Sequence, residues 1–124
     1  MHTAQLIDRY CAAWSDSNPT VRRDLLKQVW AEGASYTDPT VHANGTEALL
    51  AHIARVQTGR PGARVLRTSE LDVHHGVVRF AWRALDAKGV TLRHGIDFAF
   101  LSPQGDRIER IVGFFGDLAP LPAE

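Results

Sequence analysis

The sequence predicts an α+β domain, with helices first and strands after, and three observations carry that reading. Apolar residues in the first half recur at helical spacing. The second half runs in short extended stretches separated by glycine-containing turns. The longest of those stretches has no clear solvent face.

The first helix is marked by Ile7, Tyr10, Cys11 and Trp14, with Thr3 as its N-cap. Ser15-Asp16-Ser17-Asn18 breaks the pattern. Asn18 followed by Pro19 then reads as a cap with proline at the first helical position. Val21, Leu25, Leu26, Val29 and Trp30 form the stripe of a second helix, which Gly33 is expected to end. Ala34 to Asp38 is a short extended piece, since Pro39 disfavours a helical residue before it. Asn44-Gly45 turns the chain into a third helix from about Thr46 to Gln57, with Leu49, Ile53 and Val56 on one face. Gly59, Pro61 and Gly62 close it.

Four strands are expected to follow as a meander: Val65 to Val73, Val77 to Leu85, Val90 to Leu101 and Arg107 to Phe115. His74-His75-Gly76, Asp86-Ala87-Lys88-Gly89 and Ser102-Pro103-Gln104-Gly105 are the turns, short enough for antiparallel hairpins. From about Leu118 the chain carries two prolines and is expected to fray. On the third strand Val90, Leu92, Ile96, Phe98 and Phe100 share one face, and Gly95, Asp97, Ala99 and Leu101 the other. Helices can cover only one of these faces, so a second copy of the chain is expected on the outer one, as a homodimer.

A chain of 124 residues is the size of one domain and can bury a core without metal or disulfide staples. Lys and Arg balance Asp and Glu to a formal charge of zero, which gives no basic footprint for a nucleic acid. The lone Cys11 excludes an intrachain disulfide, and MHTAQLIDRY has no signal-peptide pattern, so a cytoplasmic protein is expected. No apolar run approaches the roughly 20 residues of a membrane helix.

The order of elements, with Asp8-Arg9-Tyr10, Tyr36-Thr37-Asp38-Pro39, Gly45, Gly95-Ile96-Asp97-Phe98 and Arg107-Ile108-Glu109-Arg110-Ile111, resembles the nuclear transport factor 2-like superfamily and its SnoaL-like proteins. The resemblance covers about residues 3 to 117 as a single domain. It implies a cone-shaped, cystatin-like fold: three helices on a curved antiparallel sheet, enclosing an apolar pocket. The superfamily spans isomerases, cyclases, hydrolases, dehydratases and non-catalytic binders, so fold alone names no activity.

At the site residues the chain is similar to ketosteroid isomerase. That resemblance implies oxyanion-donor roles for Tyr10 and Asp97 and a general-base role for Asp38, acting without a cofactor on a small apolar carbonyl compound. The chemistry needs a base at the carbon acid and donors at the enolate oxygen. Structural readings stand beside each role. Asp38 is also a turn aspartate that can bond backbone amides. Tyr10 fits the apolar stripe regardless of function. Asp97, mid-strand in an apolar stretch, must be either protonated or paired with Arg79 or Arg83. Three other outcomes remain open: a polyketide cyclase with one acid/base, an Asp-Arg-Asp set like that of limonene epoxide hydrolase, and a non-catalytic binding or interaction domain.

Trp14, Trp30, His52, Trp82 and Phe115 are the expected pocket lining. His74-His75 is set aside as a metal site, because neighbours on a strand point to opposite faces. Cys11 is expected to be buried and inert.

Overall fold

His2 opens the first helix in place of Thr3: its side chain accepts from the Gln5 amide while the Gln5 side chain accepts from the His2 amide. The computed structural model describes residues 1–123. Helix α1 (Thr3–Ser15) buries Leu6, Ile7, Tyr10, Cys11, Ala13 and Trp14, the expected stripe. Helix α2 (Pro19–Val29) starts as expected, with the Asn18 side chain taking the Thr20 and Val21 amides. It ends four residues before Gly33. Trp30 is already the first residue of strand β1 (Trp30–Asp38), and Val21 faces outward. Gly33, at φ 77°, sits in a bulge of that strand.

β1 is longer than the sequence pattern suggested, because its pairing partner lies far down the chain. Trp30 faces Ile108, and Ser35 to Thr37 face Arg110 to Val112, in parallel register on β7 (Ile108–Phe115). On its other edge β1 pairs with β2 (Val41–Asn44), a strand the sequence did not announce. Helix α3 (Thr46–Gly59) follows, burying Leu49, Leu50, Ile53 and Gln57. The first strand of the expected meander is two: β3 (Arg64–Arg67) and β4 (Asp72–His74), both antiparallel to β5 (Val77–Leu85). β6 (Thr91–Leu101) joins β5 to β7. The His75-Gly76 connection has positive φ at both residues, the two-residue hairpin turn whose twist matches its strands.

The sheet order is β2-β1-β7-β6-β5-β3, with β4 also on β5. The fold is α+β with a curved sheet, as expected, but the sheet is mixed and has seven strands, since β1 and β7 run parallel. The helices cover its concave face. At one end of this interior Leu6, Ile7, Leu26, Val29, Leu49, Ile53, Val78, Phe80, Ile108 and Ile111 are packed with essentially no exposure. Arg22 is also buried on the helical side, and its Nη1 finds no partner. No described helix is long and apolar enough to cross a membrane.

Candidate functional site

At the other end the helices and sheet diverge around a cavity of about 330 Å³. Tyr10 and Trp14 of α1, Tyr36 and Asp38 of β1, His52 of α3, Trp82 of β5, Asp97 of β6 and Phe115 of β7 all line it. Six elements therefore meet at one site. Trp30 does not reach it. Its indole stacks behind Tyr10 at 5.8 Å, in the core, so it supports the wall rather than forming it.

Asp97 owes its place to two glycines. Its register partner on β7 is Gly113. A Cβ there would stand 2.6 Å from Asp97 Oδ1, closer than real contacts allow, so only glycine leaves room for the carboxyl. The same added atom would lie 3.7 Å from the Asp38 Cβ, so both aspartates close on one bare stretch of β7. Gly95 does the corresponding work two residues earlier. The Trp82 indole lies across it, where a Cβ would meet the ring at 2.6 Å and the Phe114 carbonyl oxygen at 2.1 Å. So placed, Trp82 Nε1 donates to Asp97 Oδ1 at 2.8 Å.

Burial pushes the Asp97 carboxyl up to about 7, and nearby Asp38 adds to the rise; the Trp82 hydrogen bond opposes it. Indole N–H can only donate, so it engages a lone pair of Oδ1 and leaves the acid proton to Oδ2. Neither Arg79 nor Arg83 pairs with Asp97. Arg79 bonds Asp72, and Arg83 is exposed opposite His94, on the other side of the pleat. The ion-pair alternative is thus not formed.

Asp38 takes the opposite environment. Its Oδ1 accepts from both the Thr40 amide and the Thr40 hydroxyl at 2.7 Å, and its Oδ2 accepts from the Tyr36 hydroxyl at 2.7 Å. It is therefore a turn aspartate and a cavity residue at once. Tyr36, buried on β1, was not singled out in the sequence. Its signal was the two-residue spacing to Asp38, which puts both side chains on one face of a strand.

Burial raises both the Tyr10 and Tyr36 phenols well above their ordinary range, so each stays a protonated donor. Trp14 packs edge-on to Tyr10 and to His52, and His52 stacks on Tyr36. Burial also holds the His52 imidazole below its ordinary value, against the pull of Asp38. Cys11 is buried beneath the site, its thiol pushed far up by desolvation. His74 and His75 lie exposed at the far hairpin. Among the described residues no three His, Cys, Asp or Glu side chains converge as metal ligands, and no arginine bonds Asp38 or Asp97.

No family model matches the chain, and no curated protein sequence does. Solved structures match well. A protein of the SnoaL-like family from Agrobacterium tumefaciens, provisionally named an isomerase, superposes with a TM-score of 0.84 at 31% identity, over 93% of this chain and 97% of that one. A SnoaL-like protein of unknown function from Burkholderia thailandensis gives 0.71 at 15% identity, over 93% and 95%. A protein from a Jannaschia species, provisionally named a SnoaL-like polyketide cyclase, gives 0.69 at 14% identity, over 91% and 84%. The last two share the fold.

Proposed function

This chain belongs to the SnoaL-like family, and from that premise we propose that it is a cofactor-free acid/base enzyme acting on a small apolar carbonyl compound. The observation that carries the reading is the pair of aspartates against Gly113, in contrasting environments: Asp97 desolvated and Asp38 held by three donors. A pair of carboxyls in such different surroundings suits an acid and a base working together.

In this reading the substrate carbonyl oxygen points at Asp97 Oδ2–H, with the Tyr10 phenol as a second donor. Asp38 Oδ2 keeps a lone pair beyond the one engaged by Tyr36, and takes the proton from the carbon next to the carbonyl. The resulting enolate oxygen is stabilised by the two donors in an environment that excludes water. Returning the proton to another carbon completes an isomerisation; attack of the enolate carbon on a second carbonyl, with the proton passed to the alkoxide that forms, completes a cyclisation.

The test is a thermal-shift screen of apolar ketones and phenols, followed by proton-exchange assays on the hits. Wild type should be stabilised by phenols, and Asp97→Leu, which leaves no donor beside Trp82, should lose that response. Asp38→Asn should keep binding while exchange falls about 10²–10⁴-fold. Unchanged exchange in Asp38→Asn would leave the second reading, a non-catalytic binding protein. That reading is favoured by the three hydrogen bonds already satisfying Asp38.

A homodimer through the outer sheet face is part of the same proposal. Ile96 and Phe114 are 40% and 57% exposed there, with Phe98 packed edge-on to Phe114. Phe98→Arg should yield a monomer by light scattering; an unchanged mass would remove the dimer from the proposal.

A further inference from the structure

The rim of the cavity carries three guanidinium groups, from three separate elements. Arg60 caps the C-terminus of α3, Arg64 opens β3, and Arg93 lies on β6; all three line the cavity and are exposed. Three other arginines have acids: Arg23 pairs with Glu47, Arg67 with Asp8 and Arg79 with Asp72; what sets the rim arginines apart is that three of them line one cavity. Among the described residues no carboxylate pairs with Arg60, Arg64 or Arg93.

Arg93 is also positioned. The β5–β6 register slips by one residue at Leu92, a bulge that lets consecutive Leu92 and Arg93 both face the cavity. The Arg93 guanidinium then rests over the Phe115 ring, 4.0 Å from its centre. Arg93 stands four residues from Asp97 on the same face of β6, roughly 13 Å along the strand at 3.3 Å per residue. The wall between them includes Trp82, Ala84, Val65, Val56 and Phe115.

We infer that the cavity's ligand is an amphipathic anion: an apolar body that fills the pocket and a carboxylate, or a group of similar chemistry, that stays at the mouth against Arg60, Arg64 and Arg93. Three like charges around one opening, over low-dielectric walls, concentrate a positive potential that an anion relieves. The guanidinium fork matches a carboxylate in two hydrogen bonds. The direction of entry follows from the two ends of the cavity: the guanidinium groups hold the anion at the mouth, and the Tyr10 phenol and Asp97 carboxyl further in donate to a carbonyl. This rests on the cavity being a ligand site, as proposed above, and does not require that the ligand react.

The experiment compares two fluorescent probes with nearly the same apolar body, anilinonaphthalenesulfonate with a sulfonate and N-phenylnaphthylamine without one. Each is titrated into the wild-type protein and into the triple variant Arg60→Gln/Arg64→Gln/Arg93→Gln, whose melting temperature checks its fold. Val65→Trp, which fills the cavity, shows whether the probes bind inside it and should lose both. The sulfonate is expected to bind wild type at least about tenfold more tightly than the neutral probe. That advantage should vanish in the triple variant and shrink in about 0.5 M salt, with the neutral probe unaffected by the substitutions. If the neutral probe binds inside the cavity and the sulfonate has no advantage, or keeps it in the triple variant, the anion assignment is overturned while the cavity reading stands. If Val65→Trp retains both probes, or neither probe binds wild type, both fall together.

Discussion

The two ends of the interior are built from the same helices and strands, yet they differ in kind. On β6, Ala99 is sealed in the closed end, and Asp97, two residues away on the same face, lines the cavity. The closed end is mostly aliphatic, filling its space with Leu, Ile and Val around Phe80. The open end is aromatic, and its tyrosines, Trp82 and Asp97 carry polar atoms into a desolvated space, with Asp38 half-buried at its edge. Where the sheet is backed by side chains that interdigitate, the sequence spends them on stability. Where it is backed by glycines, at Gly95 and Gly113, it makes room for groups whose burial costs stability.

If the contrast is right, truncation should be most damaging at the closed end. Ile111→Ala, with no exposure in wild type, is expected to cost about 2–5 kcal/mol by urea unfolding. A cost under ~1 kcal/mol would mean that this end is not packed as tightly as its burial indicates.

Asp97→Asn should do the reverse and stabilise the fold. The native carboxyl titrates near 7, above its unfolded value, so the folded state holds its proton more tightly. Stability is therefore complete below about pH 4, falls as pH rises from there to about 7, and levels off above it. Carrying the carboxyl from its ordinary 3.8 to about 7 amounts to a penalty of the order of 4 kcal/mol above pH 7, at 1.36 kcal/mol per pH unit. The amide escapes that penalty and still accepts from Trp82. The gain should appear at pH 8 and be absent at pH 4; a pH-independent difference would point to packing instead.

Gly113→Ala is expected to cost about 1–3 kcal/mol, because its methyl displaces the Asp97 carboxyl, and to abolish phenol binding. Retained binding would show that Asp97 is not a ligand donor. Arg22→Met is expected to gain roughly 1 kcal/mol, since it removes a buried guanidinium whose Nη1 is unpaired on the helical side. A loss there would identify a partner for that charge.

The sequence conveyed the closed end better than the open one. Helical spacing on α1 and the glycine-containing turns that bound β5 and β6 are local signals, and those elements lie where expected. The misplaced features depend on distant pairing. Trp30 joins β1 because Ile108 waits on β7, and Gly33 marks a bulge in that strand rather than a helix end. β3 and β4 are separate because the chain between them leaves the β5 edge. At the site, Tyr10, Asp38 and Asp97 were legible through resemblance. The devices that place Asp97 were not, because a glycine facing a carboxyl across a strand pair is visible only once the register is known. Trp30 followed the helical stripe in the sequence and in the fold supports the cavity wall from behind.

The central claim is that the open end holds a carboxyl that keeps its proton up to about pH 7 and can donate it in a hydrogen bond. It is tested most directly by following the Asp97 side-chain carboxyl carbon through a pH titration by NMR, with Asp97→Asn identifying the signal. A midpoint near 7 is the expected result. A midpoint at or below about 4, the ordinary aspartate range, would contradict it and leave Asp97 an anion at neutral pH.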